Sequence, residues 1–299
     1  MSNELVTFLQ QIVNGLAISS VYVLVGLGLT LVFGLTRLIN FAHGQFVVLG
    51  AFVAYSLVRA GLSFWLAIPV ASLAVGLLAF VIERVALRRS LDNPLHGFIV
   101  SLGLVIMLQT LTVMAWSAES FRVDSPLNAV WNLGGVFISA ERLLLLGLTA
   151  GMLLALWVLL TRTNLGRSMR AVAENREAAL LMGINVSAII SFGFVLSAVL
   201  AASGGAVLGA IFPFNAYWGT AFLIKGLAVA LVGGLGSITG ALVAGLILGM
   251  TETLAAAYGI PTPWGYQFGA EWRDGFAFLL MIAILLWRPE GLFSRSRVA

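Results

Sequence analysis

Nine apolar stretches, each bounded by polar residues or glycine, follow one another along this chain: Phe8 to Gly34, Phe41 to Val58, Phe64 to Leu87, Phe98 to Trp116, Leu143 to Leu160, Ile189 to Phe212, Thr220 to Leu235, Ile238 to Ala257 and Gly275 to Trp287. Because a helix rises about 1.5 Å per residue, ~20 apolar residues cross the hydrocarbon core of a bilayer. A chain with so many such stretches is expected to fold as an all-α polytopic membrane protein with about nine transmembrane helices, within a range of eight to ten. Asp, Glu, Lys and Arg make up only 9% of the residues while 61% are apolar, with a mean hydropathy of +1.05. A soluble domain carries about a quarter of its residues as charges. No sizeable soluble domain fits beside the spans, and residues 1–299 read as a single transmembrane domain.

Of the 16 basic residues all but Lys225 are arginine, and they lie in short loops, where they report topology and not a nucleic-acid surface. With the N-terminus outside, the inner loops and tail hold Arg37, Arg84, Arg88, Arg89, Arg162, Arg167, Arg170, Arg176, Arg288, Arg295 and Arg297. The outer loops hold only Arg59, Arg122, Arg142 and Arg273. This positive-inside bias predicts a cytoplasmic C-terminus and a cytoplasmic loop over residues 161–185. The seventh stretch is short and carries Lys225, so a re-entrant half-helix is an alternative there. Re-entry would put the three arginines of the tail outside, which favours a complete span. The first basic residue is Arg37, so no charged leader precedes the first stretch and that stretch is expected to be retained. The chain has no cysteine and only His43 and His96, which excludes disulfides and a metal site of its own.

Elsewhere the loops are short. The longest outer one, 117–142, carries Pro126, Asn128, Gly134 and Gly135 as turn signals. Glycine pairs four apart, Gly147 and Gly151, Gly205 and Gly209, Gly245 and Gly249, predict close helix contacts within the bundle.

The loop 161–185 holds the main interruption of the apolar pattern. Asn175 is placed to cap a short helix from Arg176 to Met182, Glu177 sits in its first turn where the helix dipole favours a carboxylate, and Gly183 supplies a left-handed stop. Such a helix can enter a groove on another protein through Ala178, Ala179 and Met182, with Glu177 as a charged anchor; a solvated connector is the alternative. No Gly-Lys-Ser or Gly-Lys-Thr is present, and the sole lysine lies in an apolar span, so this chain cannot hydrolyse ATP through a P-loop.

Glu177-Ala178-Ala179 with Gly183 resembles the EAA-and-glycine loop of ABC importer permeases. Leu38-Ile39-Asn40-Phe41-Ala42-His43-Gly44-Gln45 resembles a motif of the branched-chain amino-acid permeases of the LivH type, as do Gly233-Gly234-Leu235-Gly236-Ser237 and Arg288-Pro289-Glu290-Gly291-Leu292-Phe293. The resemblance implies a permease subunit of an ATP-binding cassette importer in the bacterial inner membrane. Such a subunit pairs with a second permease subunit, docks two cytoplasmic ATPases that bind the ATP, and receives branched-chain or other small hydrophobic amino acids from a periplasmic binding protein; it carries no cofactor. Urea and short-amide permeases look similar. The proline further downstream in the general EAA pattern has no counterpart before Pro213, so only the segment Glu177 to Gly183 is carried over.

Two further clusters stand out. Asn40, His43 and Gln45 gather where the first inner loop enters the second span, where neutral polar groups can line a translocation path or cap the helix. Lys225 and Glu252 are read as the only charges well inside apolar spans. If spans seven and eight form an antiparallel hairpin turning near Gly236, the two share a depth and form an intramembrane ion pair, since an unpaired charge in lipid costs several kcal/mol. In a self-sufficient secondary transporter or channel, the competing class, this pair would carry the coupling.

Overall fold

The computed structural model describes residues 3–91, 93–127, 129–261, 267–268 and 270–293; Asn128, Arg295 and Arg297, read above as turn and topology signals, lie outside the described residues. Each apolar stretch forms a helix. They are α1 (Asn3–Thr36), α2 (His43–Arg59), α3 (Phe64–Ile82), α4 (Pro94–Trp116), α5 (Ala140–Arg162), α8 (Val186–Ile211), α9 (Trp218–Gly233), α10 (Ile238–Tyr258) and α11 (Arg273–Trp287), while α6 (Asn164–Glu174) and α7 (Arg176–Leu181) fold within the polar run. Six of the nine, α1, α3 with its extension to Ser90, α4, α5, α8 and α10, are long and apolar enough to cross a membrane unaided. The others, α2, α9 and α11, have 17, 16 and 15 residues.

Side-chain contacts sort the helix ends into two groups. At one end of the bundle, Gln10 at the start of α1 exchanges hydrogen bonds with the backbone of Phe137 (3.0 and 2.7 Å), Arg142 at the start of α5 reaches Asn14, and Arg122 donates to the carbonyl of Ala210 near the end of α8. At the other, Arg176 donates to the Leu35 carbonyl near the end of α1, Arg37 to Ala173 in α6, and Arg88 to the carbonyl of Ser187. The first end carries a two-stranded hairpin, β1 (Val130–Leu133) and β2 (Val136–Ser139), inside the outer loop. Gly134 and Gly135, with φ of +64° and +99°, form its two-residue turn, for which only glycine and a few polar residues are suited. A second, shorter hairpin, β3 (Ile260–Pro261) and β4 (Gln267–Phe268), lies between α10 and α11.

The core is built by α1, α2, α8 and α10, where Leu24, Leu27, Phe46, Phe52, Phe194 and Leu248 are fully buried. The outer faces of α3, α4 and α5 expose Leu73, Leu77, Ile106, Met114 and Leu154 at 61–78%. An apolar belt of this extent is stable only against lipid or another protein.

Close helix approach uses two of the three glycine pairs. A Cβ on Gly205 would overlap the Val47 carbonyl of α2, one on Gly209 would press on Phe214, and Gly245 and Gly249 take the backbone of Val23 and Ser19 in α1. Gly147 and Gly151 do not pack this way: nothing among the described residues lies within 4 Å of a Cβ at either position. Four-residue spacing marks a face of a helix, and on α5 that face points away from the bundle.

The inner loop at 37–42 does not stay at the membrane surface. His43, the first residue of α2, contacts Val25 and Gly28 in the body of α1 and Ser197, eleven residues into α8. That is ~16 Å inside the bundle. The loop therefore folds back between the helices, and the 17 residues of α2 run from mid-depth to the hairpin end.

Candidate functional site

The polar run 161–185 forms two helices in sequence. Thr163 caps α6 by accepting from Gly166 N at 3.0 Å, and Asn175 Oδ1 caps α7 by accepting from Glu177 N and Ala178 N, both at 3.0 Å. Helix α7 ends at Leu181, with Met182 as its cap and Gly183 in the left-handed region at φ +79°. Glu177, Ala178 and Met182 are exposed, but Ala179 is buried and packs into the protein's own core, so it is unavailable as a contact for a partner. The reason is geometric: on a six-residue helix one face must seat on the bundle, and Ala179 is on it. The sequence reading missed Leu180 and Leu181, which are 63% and 89% exposed beside Met182 at 82%. Three large apolar side chains in a row on a polar loop were the available signal.

Arg176 points the other way. Its Nε and Nη2 donate to the Leu35 carbonyl at 2.9 and 2.6 Å, close to the C-terminus of α1, where a cation also meets the negative end of the helix dipole. Helix α7 is thus fastened to α1 two residues before the loop that leads to Asn40 and His43.

At mid-depth that loop delivers three polar side chains with different fates. His43 is fully buried with both ring nitrogens engaged, Nε2 on the Val25 carbonyl at 3.1 Å and Nδ1 with Ser197 Oγ at 3.2 Å. The first requires a donor, so Nε2 carries the proton and Nδ1 accepts from the serine hydroxyl. His43 pins α1, α2 and α8 together. Asn40 Oδ1 accepts from Ala42 N at 3.1 Å, whereas its Nδ2 has no partner among the described residues, and neither has the Oε1 or the Nε2 of fully buried Gln45. Gly219 of α9 lies directly on the Gln45 amide, and a Cβ on Gly44 would overlap the Gly219 carbonyl. Two glycines thus hold the start of α9 in backbone contact with the start of α2, and seal the unsatisfied amide beneath.

Helices α9 and α10 form an antiparallel hairpin turning through Gly234 to Ser237, and Lys225 Nζ lies 2.7 Å from Glu252 Oε1. The cluster is larger than a pair. Tyr22 Oη donates to Glu252 Oε2 at 2.7 Å, Arg273 of α11 reaches Glu252 Oε1, and Asp274 Oδ1 lies 2.5 Å from Lys225 Nζ. Two cations and two carboxylates balance, and four helices meet at this point. Arg273 and Asp274 immediately precede the ninth apolar stretch, and the sequence read Arg273 as an outer-loop charge.

Lys225 and Glu252 are not the only charges within apolar segments. Glu83 is completely buried and bidentate to Arg88, at 3.0 and 3.2 Å, while Ser191 Oγ of α8 lies 2.7 Å from its Oε2 and 2.6 Å from Arg88 Nη2. The end of α3 widens into a π-helical turn over Glu83–Leu87. That turn brings residues five apart onto one face, which a regular α-helix would not do.

A lipid-facing helical bundle with a short helix projecting from one end and neutral polar groups at its centre defines the class: a polytopic membrane protein. The chain belongs to the family described as branched-chain amino acid transport system permease component, whose profile matches residues 11–285. It is similar to the high-affinity branched-chain amino acid transport system permease protein LivH of Salmonella typhimurium, with 32% identity across 100% of this chain and 99% of that one. Its identity to BraD of Pseudomonas aeruginosa is 34% across 99% and 98%. It is also similar to LivM of Escherichia coli, at 25% identity across 94% of this chain and 69% of that protein. Among solved structures, PsaBC from Streptococcus pneumoniae in complex with Fab has the same fold, with a TM-score of 0.54 at 12% identity over 93% of this chain and 91% of that one. An inward-facing metal-chelate type ABC transporter matches at 0.50 and 16% identity, over 94% and 87%. The chain is accordingly a multi-pass inner-membrane protein and a transport subunit.

Proposed function

We propose that this chain is one of two permease subunits of an ATP-binding cassette importer that carries branched-chain amino acids across the inner membrane. The single observation that carries the mechanism is the fastening of α7 to α1: exposed Leu180, Leu181 and Met182 face outward while Arg176 holds the Leu35 carbonyl. The loop 161–185 is cytoplasmic in this reading, and an ATPase subunit seats on that apolar triplet with Glu177 at its edge. A second ATPase seats on the partner permease. A displacement of α7 passes through Arg176 to the end of α1 and then to the segment 37–42, which ends on His43. Moving α2 against α9 uncovers Asn40 Nδ2 and the Gln45 amide, unpartnered among the described residues, which can meet a passing zwitterion without holding it. The Lys225 cluster is an assembly clamp, since each charge in it already has a partner.

The names of the relatives supply the substrate class, and in this reading a periplasmic binding protein delivers it. Reconstitution of the permease pair with its ATPases and binding protein tests the reading. ATP-dependent uptake of leucine and valine, with none of urea, is the expected result; uptake of solute by the permease pair alone would overturn it, and uptake of urea alone would reassign the substrate.

A further inference from the structure

At the hairpin end a cavity of about 320 Å³ opens between α1, α5, α10 and α11, with Arg142, Asn14 and Arg273 on its wall. The two guanidinium groups differ in one respect. Arg273 is neutralised by Glu252, which is itself fully buried. Arg142 has no carboxylate within 4 Å among the described residues; the adjacent Glu141 turns to Arg122 at 3.8 Å. The partner of Arg142 is the neutral Asn14 Oδ1 at 2.5 Å, and Asn14 is itself held by Gln10 at 3.2 Å and Gln11 at 3.3 Å. A side-chain amide network on α1 therefore aims a guanidinium that no described carboxylate contacts, with most of its donors unused, into a partly buried cavity. A further part of the wall is apolar, from Ile18, Phe212 and Ala257.

We infer that this cavity is a low-affinity site for a small aliphatic amino acid, with Arg142 as the anchor of its carboxylate. A charge-assisted Arg–carboxylate contact is among the stronger hydrogen-bonded pairs, and a partly desolvated setting raises its worth. The volume falls at the lower end of small-molecule sites, which suits one amino acid and excludes a peptide. The ammonium group of an amino acid finds acceptors in Gln11 and in Thr253, whose hydroxyl spends its proton on the Gly249 carbonyl at 2.8 Å. This inference rests on the importer reading, for which the site would be the first foothold of solute on the permease. The phosphate of a lipid headgroup shares the anion chemistry, and the test separates the two.

The test uses the assembled transporter in nanodiscs of zwitterionic lipid, without ATP and without binding protein. Titration with radiolabelled leucine should show weak saturable binding that unlabelled leucine displaces and leucinol, which lacks the carboxylate, does not. Arg142→Gln should weaken it at least ten-fold and Arg142→Lys less, with thermal unfolding unchanged in the lysine variant. Equal binding of leucinol, or leucine binding unaffected in Arg142→Lys and Arg142→Gln alike, overturns the inference. So does a dependence on Arg142 seen only as retention of anionic lipid that leucine fails to displace. ATP-driven uptake by the wild-type complex is read separately, so loss of the importer reading would show there and not in the binding arm.

Discussion

Two buried polar residues of similar size carry opposite energetics here. Gln45 is fully enclosed with neither amide atom partnered among the described residues, and burying an amide without hydrogen bonds costs about 1–3 kcal/mol in proteins. Gln45→Leu keeps the volume and removes that cost, so the variant should unfold at a higher temperature in detergent while ATP-driven uptake falls. A protein that is both less stable and fully active would contradict the path assignment. Glu252 is the reverse case, with Lys225, Arg273 and Tyr22 on its two oxygens. Glu252→Gln leaves two cations facing only Asp274, whereas Lys225→Met leaves Glu252 with Arg273 and Tyr22. Breaking a buried pair costs about 3–5 kcal/mol when a charge is stranded, so Glu252→Gln should lower the unfolding midpoint clearly more than Lys225→Met. Equal effects would mean that Lys225 is the principal partner and Arg273 is dispensable.

At the scale of elements, the helices were legible because hydrophobicity sets them: every apolar stretch became one, and Asn175 and Gly183 end α7 as their chemistry requires. What lay beyond the sequence was placement. Nothing in Leu38 to Gln45 says that the loop doubles back ~16 Å into the bundle, because that depends on the contacts of His43 with Val25 and Ser197 in other helices. The π-helical turn that joins Glu83 to Arg88 is equally a tertiary result. The glycine pairs show the same division. The expected close contacts form on α8 and α10 and not on α5, because which glycine faces meet a neighbour is decided by the packing. Gly205→Leu drives a side chain into the Val47 carbonyl and should prevent a stable bundle, whereas Gly147→Leu meets open space and should leave the melting temperature of the isolated permease nearly unchanged. Thermal unfolding of the two variants side by side checks this; similar losses would show that α5 packs more tightly than described.

For the whole molecule the question is how work done outside the membrane reaches its interior. The sequence located the short helix from Arg176 to Met182 and its stop at Gly183. In the proposed mechanism Arg176 carries the displacement, whereas a Cβ at Gly183 meets nothing within 4 Å and a substitution there strains only the local backbone. Arg176 joins the helix that bears the exposed Leu180 to Met182 triplet to the end of α1, and α1 leads directly into the loop that delivers Asn40, His43 and Gln45. The decisive measurement is paired ATP hydrolysis and leucine uptake by the reconstituted complex carrying Arg176→Gln. The account predicts that hydrolysis persists while uptake falls at least ten-fold; uptake that keeps pace with hydrolysis would contradict it.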